Sequence, residues 1–206
     1  MAEPARPLPL PDREDARSWP KQGQWTYADY CLLPDDGQRY EVIRGHLYVS
    51  PAPSIVHQLT VKRVVRKVDS FVADHHLGEV LTAPLDILLP RGLGTPVQPD
   101  VIFFRRGNVP RVDALNFEGV PDLVIEVLSP STRRLDKIKL AAYRDAGVPE
   151  VWHPDPKART VVIYGLSADR KSYEEVSRGG EGESVISRVL PGLRIEIDEL
   201  FAPPLE

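Results

Sequence analysis

The chain has 206 residues, enough for one folded domain with a proper hydrophobic core. Its 42% hydrophobic and 27% charged content and formal charge of −4 exclude both a disordered chain and a protein coated in basic surface. A single cysteine, Cys31, excludes an intramolecular disulfide framework and a multi-thiolate zinc cluster. No stretch approaches the roughly 18 apolar residues of a membrane span, and no apolar leader opens the chain, so a soluble cytoplasmic protein is expected.

Residues 1–23 are proline-rich and lack apolar periodicity, which predicts a flexible arm ahead of a single domain over 24–206. Thr26 and Asp29 have the spacing of a capping box and predict a short helix to about Leu33. Residues 40–43 and 47–49 predict strands of a hairpin around Gly45. From Ser54 to about His76, Ile55, Leu59, Val64, Val65, Val68, Phe71 and Val72 recur at helical spacing. Strands are predicted at 79–82 and 85–89, a turn at 91–96, a buried strand at 101–104 and a loop over 105–120. Another apolar strand spans 123–128, and a helix from about Arg134 to Ala146 is stopped by Gly147 and Pro149. A short strand follows at 150–153, with antiparallel strands at 160–164, 173–176, 185–189 and 193–197. The expected class is α/β (α+β), with a hairpin-rich ending.

Two carboxylates interrupt apolar strands. Asp100 opens the run Asp100-Val101-Ile102-Phe103-Phe104, and Glu126 lies inside Leu123-Val124-Ile125-Glu126-Val127-Leu128. An ionised carboxylate in such surroundings is costly without a cation, a donor or a metal. One such acid is ordinarily an arginine partner; two on neighbouring strands point to a site. Oxygen ligands of this type suit Mg²⁺ or Mn²⁺ rather than zinc. Downstream, Lys139 and Tyr143 are four apart and share a helix face expected to lie near Glu126. A lysine so placed can orient a water or offset charge on a phosphate. His57, in the first turn of the long helix, and Asp86, polar within an apolar strand, are further candidates.

Several blocks together resemble the Uma-type restriction endonuclease family of the PD-(D/E)XK nuclease superfamily. They are Tyr40-Glu41-Val42-Ile43-Arg44-Gly45, Ser50-Pro51-Ala52-Pro53-Ser54, His57-Gln58, Ala83-Pro84-Leu85-Asp86 and Gln98-Pro99-Asp100. Glu126-Val127-Leu128-Ser129-Pro130-Ser131-Thr132, Tyr143-Arg144-Asp145-Ala146-Gly147-Val148-Pro149-Glu150-Val151-Trp152 and Asp155-Pro156 continue in the same order. The resemblance implies a restriction-endonuclease-like core, a central mixed sheet flanked by helices with additional antiparallel hairpins. It also implies Mg²⁺-dependent phosphodiester hydrolysis, with the metal held by Asp100, Glu126 and the Val127 backbone carbonyl. Leu128 stands where the superfamily's simplest pattern places its catalytic lysine. The lysine of the following helix takes its place: Lys137 and Lys139 are both candidates, and the spacing to Tyr143 favours Lys139. Glu41 is the acid of the hairpin expected to serve as an accessory metal or water ligand, with His57 and Asp86 beside it.

Lys62 and Arg66 on the long helix, and Arg133 and Arg134 after the second acid-bearing strand, are where a phosphate backbone is expected to lie. A solvated helix face accounts for the first pair equally well. The expected activity is a metal-dependent endonuclease acting on nucleic acid, DNA favoured, in a possible homodimer. The alternative is a nucleic-acid-binding or regulatory module that keeps the fold and cuts nothing.

Overall fold

The computed structural model describes residues 18–90 and 95–202. Thr26 opens α1 (Tyr27–Tyr30) through a full capping box with Asp29. β1 (Arg39–Ile43) and β2 (His46–Ser50) form the expected antiparallel hairpin. Its turn uses Arg44 and Gly45 at positive φ, and a Cβ at Gly45 would sit 2.5 Å from the Gly23 carbonyl oxygen. Residues 18–23, expected to belong to the arm, are instead tied to this hairpin. The Gly23 N–H donates to the Gly45 carbonyl, Gln22 exchanges hydrogen bonds with the Leu47 backbone, and Trp19 stacks on Trp25. The remainder of that arm, residues 1–17, lies outside the described residues.

Ser54 caps α2 (Ile55–Asp74), and Thr60, Val64, Val68 and Val72 form its buried stripe. Ile55 falls off that stripe and is exposed. There follow β3 (Gly78–Thr82), β4 (Asp86–Leu89), β5 (Thr95–Val97), β6 (Val101–Arg105), β7 (Asn116–Glu118) and β8 (Leu123–Ile125). α3 (Arg133–Ala146) then leads into β9 (Glu150–Asp155), β10 (Thr160–Leu166), β11 (Tyr173–Gly179), β12 (Ser184–Ile186), β13 (Arg194–Glu196) and α4 (Ile197–Leu200). The central sheet has the order β11-β10-β9-β8-β6-β3 and is mixed, since β8 and β9 run parallel while the other neighbours are antiparallel. α3 is the crossover that a parallel pair requires. Gly147 ends it in the left-handed region, at φ 93°.

Two strands were not expected. β5 falls partly in the anticipated turn at 91–96 and β7 in the anticipated loop, and they flank β4 in a small sheet. Each has three residues, too few for a period to show. The strand expected at 185–189 stops at Ile186 because the Arg188 and Val189 N–H groups and the Ser187 hydroxyl turn onto the buried Glu150 carboxylate.

Alternation through the central strands explains their continuous apolar runs. Val101, Phe103, Leu123, Ile125 and Trp152 pack under α2, while Ile102, Phe104, Val124 and Val151 face α3 through Ala142, Tyr143 and Ala146. Among the described residues, no helix is long and apolar enough to cross a membrane.

Candidate active site

β6 and β8 pair with Val101 opposite Ile125 and Ile102 opposite Val124. One step further along the antiparallel register, Asp100 falls opposite Glu126. By the same alternation, Asp100 shares the face of Ile102, and Glu126 that of Val124. Both carboxylates therefore project toward α3, and both are buried. The predicted strand over 123–128 ends as a ladder at Ile125, yet Glu126 and Leu128 still donate backbone bonds to Trp152 and Pro154 of β9. That continuation fixes where the Glu126 side chain points.

α3 contributes Lys139 and Tyr143 one turn apart on its buried face. Lys139 Nζ lies 2.6 Å from Glu126 Oε1 and 2.8 Å from Glu41 Oε1. The Tyr143 hydroxyl donates to Glu126 Oε1 at 2.5 Å. Lys137 is exposed, so α3 turns Lys139, not Lys137, toward the acids. Glu41 arrives from β1, where alternation sends Tyr40 and Val42 into the Trp25 cluster and Arg39, Glu41 and Ile43 the other way. The Gln98 N–H also donates to Glu41, at 2.8 Å.

Asp100 is held by three elements. Its Oδ1 accepts from Arg39 Nη1 at 3.0 Å, its Oδ2 accepts from the Val127 N–H at 2.9 Å, and His57 Nε2 stands 3.3 Å from Oδ2. The Ser54 cap places His57 there by starting α2 just ahead of it. Burial alone would raise the Asp100 carboxyl, but the His57 hydrogen bond and the Arg39 charge reverse this and hold it well below the usual carboxylate range. The same contact raises the His57 imidazole against the effect of its own burial. Burial pushes the Glu126 carboxyl up, with the Lys139 charge opposing. Burial would lower Lys139, yet the Glu126 and Glu41 carboxylates outweigh it and keep the amine cationic.

Arg39, Glu41, His57, Asp100, Glu126 and Lys139 all line one cavity of about 550 Å³. Residues 129–132 and Asp136 form another part of its wall. Asp136 accepts from the Thr132 hydroxyl, and burial pushes its carboxyl up to about 6. Asp86 is not among the lining residues: it accepts from the Tyr30 hydroxyl and the Gln98 side-chain amide, one residue removed from Glu41. Lys62 lines a second cavity of about 270 Å³, which shares Arg39, His57 and Asp100 with the first. Arg66 and Arg134 are exposed, whereas Arg133 is paired with Asp155 at 3.2 Å.

Arg39, Asp136 and the Tyr143–Glu126 bond were not anticipated as parts of the site. Arg39 stands two residues before Glu41 in a strand, and that alternation is the signal that identifies it. Among the described residues, no group of three or more His, Cys, Asp and Glu side chains is arranged to hold a metal ion. Four carboxylates, those of Glu41, Asp100, Glu126 and Asp136, line the cavity with the His57 imidazole, and such oxygen donors fit a hard divalent cation.

The chain matches the model of the Uma2 family, described as "Putative restriction endonuclease", over residues 27–198. Among proteins of curated function none matches it. A solved structure from Anabaena variabilis, described as "a putative nuclease belonging to DUF820", superposes with a TM-score of 0.73. The two are 22% identical over 86% of this chain and 98% of that one, which shows a shared fold. With most of its length matched by the family model, the chain belongs to the Uma2 restriction-endonuclease-like family.

Proposed function

We propose that this protein is a metal-dependent endonuclease that hydrolyses phosphodiester bonds of nucleic acid, DNA favoured. The observation that carries this reading is the placement of two buried carboxylates, Asp100 and Glu126, opposite one another beside a buried lysine, at one cavity. Asp100, Glu126 and the Val127 carbonyl would hold the cation, Mg²⁺ with Mn²⁺ as a substitute. When bound, such a cation supplies a water of lowered pKa and neutralises charge on the phosphate.

The chain's own residues do the rest. Lys139 is kept cationic by its neighbours, so it acts as a hydrogen-bond donor and a positive charge rather than as a base. It holds Glu126 and Glu41 in place and offsets negative charge building on the phosphate. Tyr143, one turn further along α3, orients Glu126 through the same oxygen that Lys139 contacts. His57 keeps Asp100 ionised from α2. Lys62 and Arg66 on one flank, and Arg134 on the other, supply charge for a phosphate backbone entering the cavity. A homodimer would present two such sites to a duplex. A cytoplasmic location follows the sequence expectation.

A second reading has one observation in its favour: the carboxylates are already paired with protein cations, Arg39 on Asp100 and Lys139 on Glu126. A binding module that never takes a metal would look the same. Cleavage of supercoiled, linear and single-stranded DNA and of RNA, with Mg²⁺, Mn²⁺ or EDTA, separates the two. Metal-dependent cutting by wild type, lost in Glu126→Gln and in Lys139→Met, is the expected result. No cutting of any substrate, with no thermal stabilisation by either metal, would leave the binding module standing.

A further inference from the structure

From the geometry around Asp100 we infer that Arg39 is the resting counter-ion of the metal site, moving off Asp100 into the adjoining cavity when a divalent cation binds. This rests on the metal-dependent reading above and gives a role to a residue which that reading leaves out.

The two oxygens of Asp100 are not equivalent. Oδ2 is committed to the Val127 N–H, a backbone donor fixed by the continuation of β8 along β9, and His57 stands against it. Oδ1 is held by the Arg39 side chain. A cation that claims Asp100 through Oδ1 thus meets a guanidinium already in place. Two like charges a few ångströms apart repel strongly at the low effective dielectric of a half-buried site.

The rest of the guanidinium is not anchored. Its Nε and Nη2 are buried without a hydrogen-bond partner among the described residues. Buried donors left unmet are costly, and an arginine serving only the fold would have both edges of its fork occupied. Arg39 has Nη1 engaged and the Nε–Nη2 edge idle, the pair of parallel donors that suits two oxygens of one anion. It also has somewhere to go: it lines both the cavity of about 550 Å³ and the neighbouring one of about 270 Å³. Its charge is balanced jointly by Glu41, Asp100 and Glu126, so leaving Asp100 does not strand it.

The test is calorimetric titration of Mn²⁺ into the metal-free full chain. It is run on wild type, Arg39→Met and Arg39→Gln, the last keeping a donor for Asp100 in case Arg39→Met does not fold. Both neutral variants are expected to bind Mn²⁺ on the order of tenfold more tightly than wild type, because a like charge has been removed. An arginine that merely orders the site predicts the opposite sign. Equal or weaker binding by a folded variant, with wild type binding, overturns the inference. In wild type, the Arg39 Nε–H resonance is expected to shift on addition of Mg²⁺, and a resonance unmoved at saturation overturns it as well. A wild type that binds neither metal overturns instead the metal-dependent reading beneath it.

Discussion

Lys139 Nζ lies 2.6 Å from Oε1 of Glu126, and neither side chain is more than 5% exposed. A buried ion pair of this kind adds little net stability, because the cost of taking both charges out of water offsets their attraction. Its asymmetry is what makes it informative: removing one partner leaves the other charged and stranded. Here Lys139 serves two acids, since Glu41 is within 2.8 Å as well.

Lys139→Met is accordingly expected to cost on the order of 3–5 kcal/mol, with part of the loss recovered in Lys139→Met/Glu41→Gln. Lys137→Met, at an exposed position of the same helix, is expected to stay within about 0.5 kcal/mol of wild type. Urea unfolding of the three variants checks this. A large loss in Lys137→Met and none in Lys139→Met would mean that α3 is rotated from the orientation described.

Tyr143→Phe removes the hydroxyl that donates to Glu126 and leaves the ring in the core. The expected cost is about 1–2 kcal/mol in urea, with weaker Mn²⁺ binding because Glu126 loses an orienting donor. Unchanged metal affinity in a folded Tyr143→Phe protein would show that Lys139 alone orients Glu126.

The cationic flanks are expected to contribute unequally to nucleic-acid binding. Lys62→Ala and Arg134→Ala are each expected to lower the magnitude of the salt slope of DNA affinity by about one. Arg133→Ala is expected to lower it less, since Asp155 already neutralises that guanidinium. Fluorescence anisotropy of a labelled duplex across a salt series measures all three, and equal slopes would contradict the assignment.

His153 lies on β9, on the α3 side of the sheet and against the Tyr164 ring, with Nε2 buried and unpartnered among the described residues. Burial, aided by the Lys139 charge, pushes its imidazole down to about 4. The unfolded chain takes up a proton near pH 6.5 and the folded chain does not until about pH 4, so stability is complete above 6.5 and falls as the pH drops through that window. Between pH 7 and pH 5 this group should remove about 2 kcal/mol. Glu126 and Asp136, raised by burial, act in the opposite direction over the same range, which makes the comparison with His153→Phe the decisive one. In metal-free protein, the variant should gain on wild type by about that amount at pH 5. A constant difference at the two pH values would show that His153 titrates normally.

Much of the architecture is local and was therefore legible. The Thr26–Asp29 box, the Ser54 cap, the Gly147 stop and the apolar runs of β6 and β8 are contained in a few consecutive residues. Three-residue β5 and β7 were not, because their pairing with β4 is imposed by neighbours rather than by their own pattern. The packing of residues 18–23 is hidden for a similar reason: Trp19 and Gln22 look like arm residues until the segment and hairpin they pack on are present.

At the site, the two acids interrupting buried strands and the shared helix face of Lys139 and Tyr143 are legible from the residues alone. Those are consequences of strand and helix periods. It takes the folded packing to set Asp100 opposite Glu126, bring Glu41 to Lys139 from a distant hairpin, place Arg39 on Asp100 from 61 residues away, and leave Asp86 outside the cavity. Register and packing between remote elements set these distances. The energetics of each pair depend on a burial that no short window of residues encodes.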